Sequence, residues 1–178
     1  MFLPVFGAPL AHVLVLRHDL MRPLKRPLDG GASVRGRRVF GDNKTWRGAL
    51  VMTGGVMAAA QALWRCRAYV DRLPAEVRAA GPARVGFLVG LGTVAGELPN
   101  SFVKRQLDIS PGEQRDSAAG KLLSLYDQAD LVPGVWAAML PVYRMPARGV
   151  ALAVAVVTLA HVPISRIGYH VGARTAPV

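Results

Sequence analysis

Glu97, Ser101, Lys104 and Arg105 lie within one short stretch, GELPNSFVKR. A helix brings residues three and four apart onto one face. If this stretch is helical, a single stripe carries a carboxylate, a hydroxyl and two cations. That combination suits a metal-bound phosphate. The carboxylate can hold a divalent ion, and the cations can meet the remaining phosphate oxygens. A plainer reading also fits: Glu97 pairs with Lys104 or Arg105 at a helix end, and the two cations mark that end by snorkelling. Pro99 is predicted to break or kink the helix, leaving freed backbone groups to line a cavity.

A second acidic pair stands in YDQAD, where Asp127 and Asp130 are three residues apart. Hard cations such as Mg²⁺ take oxygen ligands and keep several waters, so one or two carboxylates plus phosphate oxygens suffice. Asp130 also precedes an apolar run, and capping that helix is its alternative role. A third cluster, RRVFGDNKTWRG at 37–48, combines Arg37, Arg38, Lys44 and Arg47 with Gly41 and Gly48, and Gly36 stands just before it. Glycine allows close backbone approach and the cations neutralise phosphate oxygens. Trp46 suits the headgroup level of a bilayer. The competing reading is a positively charged loop that fixes topology and meets acidic lipid.

Other chemistries are poorly served. The lysine in SAAGKLLS lacks the leading glycine and following hydroxyl of a nucleotide-binding P-loop. His161 and His170 are too far apart for a helical zinc pair. Cys66 is the single cysteine, which excludes an intrachain disulfide and a thiolate zinc cage.

Five apolar runs must position these residues: 2–16, 48–64, 85–103, 131–143 and 150–164. The 178-residue chain is 52% hydrophobic and 19% charged, with a net charge of +11. Soluble domains carry about 25% charged residues. The length fits one domain, 1–178. The positive charge lies between apolar runs without an aromatic-basic signature, which argues against nucleic acid. A greasy soluble bundle is the alternative fold, because the runs fall at or below the roughly 20 residues of a spanning helix. Glycine and proline inside the runs, and the missing polar face, favour the membrane. The expected fold is an all-α integral membrane protein with about five transmembrane helices and cytoplasmic polar loops. The loops after the first and third runs and the C-terminal tail hold most of the lysine and arginine. This predicts an N-terminus outside and a cytoplasmic C-terminus. The first run lacks a preceding basic residue and reads as a retained helix, not a signal peptide. Residues 68–84 read as an external loop with one short interfacial helix.

The segments PLDGG, GRRVFGDNKTWRG, GELPNSFVKRQLDI, PGEQ, DQAD and AHVPISRIGYHVG occur in that order. In this the chain resembles the CDP-archaeol synthases and their bacterial relatives, small membrane cytidylyltransferases distantly similar to phosphatidate cytidylyltransferases. The resemblance runs from Pro27 to the C-terminus. It implies five spanning helices and transfer of CMP from CTP to a lipid phosphate of the cell membrane, with Mg²⁺ and release of pyrophosphate. It also implies roles for individual residues. Glu97, Asp127 and Asp130 would hold the metal. Lys104, Arg105 and Lys44 would neutralise the phosphates. Asp42, Thr45, Arg47 and Ser101 would belong to the nucleotide site. Two features depart from the archaeal pattern: glutamate replaces aspartate at 97, lengthening the ligand by one methylene, and ELPNSF carries a proline. A degenerate or non-enzymatic membrane relative is the alternative. The lipid, whether an archaeol phosphate or phosphatidic acid, is not legible in the sequence.

Overall fold

The structure is a computed structural model that describes residues 1–110, 127 and 129–170, with side chains described as far as 160. A 3₁₀ turn, Leu3–Phe6, leads into helix α1, Gly7–Arg17. A second 3₁₀ turn, Arg22–Leu24, and a two-stranded antiparallel hairpin follow. Its strands are β1, Ser33–Val34, and β2, Arg37–Arg38. Then come α2, Trp46–Leu63; α3, Arg67–Val70; and the long α4, Ala75–Gln106. Helix α5, Leu131–Met139, and α6, Ala147–His170, complete the fold.

Each apolar run contains a helix, so the expectation of a mainly helical fold holds, with the short β1–β2 hairpin added to it. The fourth is the shortest and ends at Met139. Helix α2 begins where Thr45 stops being helical and its hydroxyl accepts from the Gly48 amide at 3.1 Å, which satisfies one of the orphan donors of the first turn. Helix α4 packs against α2 and α5 and carries much of the core. Val56, Val85, Val89, Val135 and Met139 are buried between these helices. Glycine lets the backbones touch. A Cβ on Gly92 would lie 2.6 Å from the Val135 Cα, and one on Gly134 would lie 2.6 Å from the Gly96 Cα. These contacts set how closely α4 and α5 approach.

Two expectations are corrected. Pro99 does not break α4. The non-helical residue lies at Gly81, with φ 74° and ψ 166°, directly before Pro82. Glycine tolerates that left-handed φ and the following proline disfavours a helical predecessor. At Pro99 the missing hydrogen bond is absorbed within the helix, which runs on through Asn100 and Ser101 to Gln106. The region 68–84 is also more helical than an external loop: α3 and the first turns of α4 occupy most of it.

Among the described residues no helix is long and apolar enough to cross a membrane. Polar side chains such as Gln61 in α2 and Glu97 in α4 interrupt the apolar stretches. Large apolar side chains nevertheless face outward. Leu10 is 70% exposed and Leu159 75%, and Leu14, Leu50 and Leu152 also face outward.

Candidate active site

The loop between the second 3₁₀ turn and α2 is built around Asp29. Its side chain is 1% exposed. One carboxylate oxygen accepts from the amides of Phe40 at 2.9 Å and Gly41 at 3.2 Å. The other accepts from the Gly31 amide at 3.0 Å and from the Arg38 guanidinium at 2.7 Å. Burial alone pushes this carboxyl upward, but the Phe40 amide, Arg38 and the two glycine amides outweigh it and hold it well below the usual carboxylate range. Arg38 is raised in turn, first by Asp29 and then by Asp42, which it meets at 2.6 Å. The loop's two ends pair with each other: the Leu28 amide donates to the Lys44 carbonyl at 2.7 Å and the Trp46 amide to that of Arg26 at 3.0 Å. Lys44 is thus presented from a fixed backbone.

This loop is latched to the end of α4. The Arg37 guanidinium donates to the Gln106 carbonyl, and the Gln106 amide donates to the Arg38 carbonyl at 3.3 Å. Gly41, at φ 88°, lies against Arg105; a Cβ there would stand 3.3 Å from the Arg105 Nε. The Arg105 guanidinium itself donates to the Ile109 carbonyl just beyond the helix.

More than two turns back along α4, the Lys44 ammonium pairs with Glu97. The Lys104 ammonium meets Asp127 Oδ1 at 2.9 Å, and the Asn100 amide donates to the same oxygen at 2.7 Å. Asp130 is only 5% exposed and stands directly before α5. It does not cap that helix through its side chain. Its carboxylate lies in the field of Glu97 and Asp127, opposed by Lys44. The backbone of α4 reaches it closely because residue 96 is glycine. The loop, α4 and the segment before α5 therefore bring Lys44, Glu97, Lys104, Asp127 and Asp130 together.

The other residues named from the sequence are distributed differently. Ser101 is buried on α4, on the stripe with Glu97. Thr45 caps α2. Arg47 is buried and pairs with Asp19 at 2.8 Å, also donating to the Leu20 carbonyl at 3.3 Å. It thereby ties the start of α2 to the chain leaving α1, and its guanidinium holds Asp19 below the usual range. Asp42 is exposed and meets Arg38. Two residues were not singled out as site residues from the sequence. Asp29 was visible only as part of PLDGG, and Asn100 only as a polar residue in an apolar run.

The donors that Glu97, Asn100, Asp127 and Asp130 offer are oxygens, the chemistry of a hard cation. The Asn100 Oδ1 is buried with no partner among the described residues. Among those residues no three His, Cys, Asp or Glu side chains are grouped so as to hold an ion unaided. Two carboxylates and a neutral amide oxygen fit Mg²⁺ whose remaining ligands are phosphate oxygens and water.

Residues 20–178 match the family model described as CarS-like, CDP-archaeol synthase. The chain is 38% identical over 161 residues to the CDP-archaeol synthase of Halobacterium salinarum, covering 85% of this chain and 83% of that protein. It is 32% identical over 183 residues to the CDP-archaeol synthase of Thermofilum pendens, covering 98% and 77%. A solved structure described as an intramembrane enzyme for archaeal membrane lipid biosynthesis superimposes with a TM-score of 0.62 at 28% identity, over 90% of this chain and 89% of that one. The loop latched to α4 and the acidic groups gathered beside it are therefore features of a chain that belongs to the CDP-archaeol synthase family.

Proposed function

We propose that the site at the cytoplasmic end of α4 grips CTP through Mg²⁺ and that a lipid phosphate reaches it from the bilayer. The reaction follows from family membership: the chain is a cytidylyltransferase that forms a CDP-activated lipid. An oxygen of the lipid phosphate attacks the α-phosphorus of CTP. The bond from that phosphorus to the bridging oxygen breaks, and pyrophosphate leaves. The protein's task is to position these groups and neutralise their charge.

Glu97 and one or both of Asp127 and Asp130 would hold Mg²⁺, and the ion would supply charge neutralisation on the triphosphate. Lys44 and Lys104 pair with carboxylates in this arrangement. With CTP present they turn to phosphate oxygens, joined by Arg105. The buried Ser101, with Asp42, Thr45 and Arg47 around the loop, shapes the nucleotide side of the site. The observation that carries this reading is the convergence of the Lys44 loop, α4 and the Asp127–Asp130 segment.

The membrane setting is supported by the outward-facing leucines and by the intramembrane enzyme whose structure this one resembles. We place five helices in the bilayer, with the short α5 held against α4, the N-terminus outside and the C-terminus in the cytoplasm. The basic loop then lies where soluble CTP and a lipid headgroup meet. Purified protein in detergent, given labelled CTP, Mg²⁺ and a panel of lipid phosphates that includes archaeol phosphates and phosphatidic acid, should form CDP-lipid from at least one. Failure with every lipid would overturn the assignment.

A further inference from the structure

We propose that Asn100 is a positioning residue and neutral ligand for the divalent cation: its amide nitrogen fixes Asp127 while its amide oxygen faces the ion. This rests on the reading that a cation binds between α4 and the Asp127–Asp130 segment.

Three observations lead to it. Asn100 is 2% exposed, on a helix whose neighbouring face carries Glu97 and Lys104. Its Nδ2 donates to Asp127 Oδ1 at 2.7 Å. A carboxylate accepts and does not donate, so this contact fixes which end of the amide is nitrogen. The oxygen is then left buried with no partner among the described residues. A buried acceptor without a donor is costly, and such a group calls for an explanation. A cation drawn in by the adjoining carboxylates supplies what the oxygen lacks. The same side chain orders Asp127 before the ion arrives, since Asp127 Oδ1 already accepts from both Asn100 and Lys104. Outer-shell contacts of this kind orient the ligands they touch.

The test compares wild type, Asn100→Leu and Asn100→Asp as purified full-length protein in detergent. Thermal unfolding is followed with and without Mg²⁺ and CTP, and Mn²⁺ binding is read by electron paramagnetic resonance. Wild type should show an upward Tm shift that depends on Mg²⁺. Asn100→Leu removes both amide ends and should raise the half-saturating Mn²⁺ at least tenfold. Asn100→Asp keeps an oxygen, loses the donor and places a negative charge beside Asp127. Its metal-free Tm should fall, while its Mg²⁺-dependent shift should grow beyond that of wild type. A residue that merely packs would lower Tm in both variants and leave the metal response unchanged, and that result overturns the proposal. If Asn100→Leu does not fold, Asn100→Asp decides by the sign of its Mg²⁺-dependent shift. A wild type that binds no Mn²⁺ would remove the underlying cation site itself, a failure distinct from a normal wild type with indifferent variants.

Discussion

Lys44 and Glu97, separated by 53 residues, form an ion pair that joins the basic loop to α4. Both side chains are partly shielded, at 21% and 27% exposure. Each comes from a rigid element: the loop ends are clamped by their mutual backbone bonds, and α4 is continuous at this point. The pair sets the distance between the loop ammonium proposed for phosphate and the α4 carboxylate proposed for metal.

Removing either partner should therefore damage turnover more than folding. Glu97→Gln and Lys44→Ala are each expected to lower CDP-lipid formation by about 100-fold, the scale of losing one preorganised charge at a reacting phosphate. Asp130→Asn should do the same. Asp108→Asn is the control: residue 108 has φ 61°, a conformation asparagine tolerates. Equal losses at 108 and 97 would count against the assignment of ligands.

Close approach of α4 and α5 gives a stability prediction. A Cβ on Gly92 would meet the Val135 Cα at 2.6 Å and the Gly134 carbonyl oxygen at 2.7 Å, both backbone atoms that cannot swing away. Gly92→Ala should destabilise the protein by about 3 kcal/mol, the upper part of the usual overpacking range. It should also reduce turnover, because moving α5 moves Asp130. Gly54 has open space around its Cβ position. Gly54→Ala should leave stability unchanged or raise it by about 1 kcal/mol through helix propensity. Denaturant unfolding in detergent separates the two.

Arg47 supplies a third prediction. It is 6% exposed and bound to Asp19 and the Leu20 carbonyl. Arg47→Ala leaves Asp19 with Arg22 as its cation and breaks the tie between α1 and α2. A double-mutant cycle with Asp19→Ala should show coupling, the double variant losing less stability than the two single variants together. Additive effects would show that the pair does not hold these helices together.

The helices were legible in the sequence because apolar runs depend on local composition. The stripe on α4 was legible for a similar reason: Glu97, Ser101 and Lys104 lie within two turns, and helical spacing alone places them on one face. The partners were not. The plainer reading paired Glu97 with Lys104 or Arg105, its neighbours in sequence, and it meets Lys44 instead. Lys104 turns to Asp127. Those choices depend on how a loop folds back over a helix end, which no local periodicity encodes. Asp29 was missed because its partners are mostly backbone amides that come within reach only once the hairpin closes. Pro99 misled because a long helix held against α2 and α5 can absorb one lost hydrogen bond on its exposed side, whereas Gly81 followed by Pro82 departs from helical geometry.

Asp29 leads to the last prediction, a dependence on pH. Its folded carboxyl titrates below the ordinary aspartate value of about 3.9. A depressed folded value means that the charged form is the one the fold stabilises. The loop's stability is therefore fully present above about pH 4 and is lost as the pH falls through the lower folded value. Protein labelled with ¹⁵N-glycine reports this directly, since Gly31 and Gly41 both donate amides to Asp29. Their resonances should hold steady from neutral pH down to about pH 4 and move only below it. In Asp29→Asn that acid transition should vanish. The loop should already be loosened at pH 7, because the Gly31, Phe40 and Gly41 amides and Arg38 lose the charged acceptor they share. Lys44 would then be presented from a mobile backbone, so CDP-lipid formation should fall in the same variant. A glycine transition centred at or above about pH 4 would mean that the Asp29 contacts do not hold the loop closed.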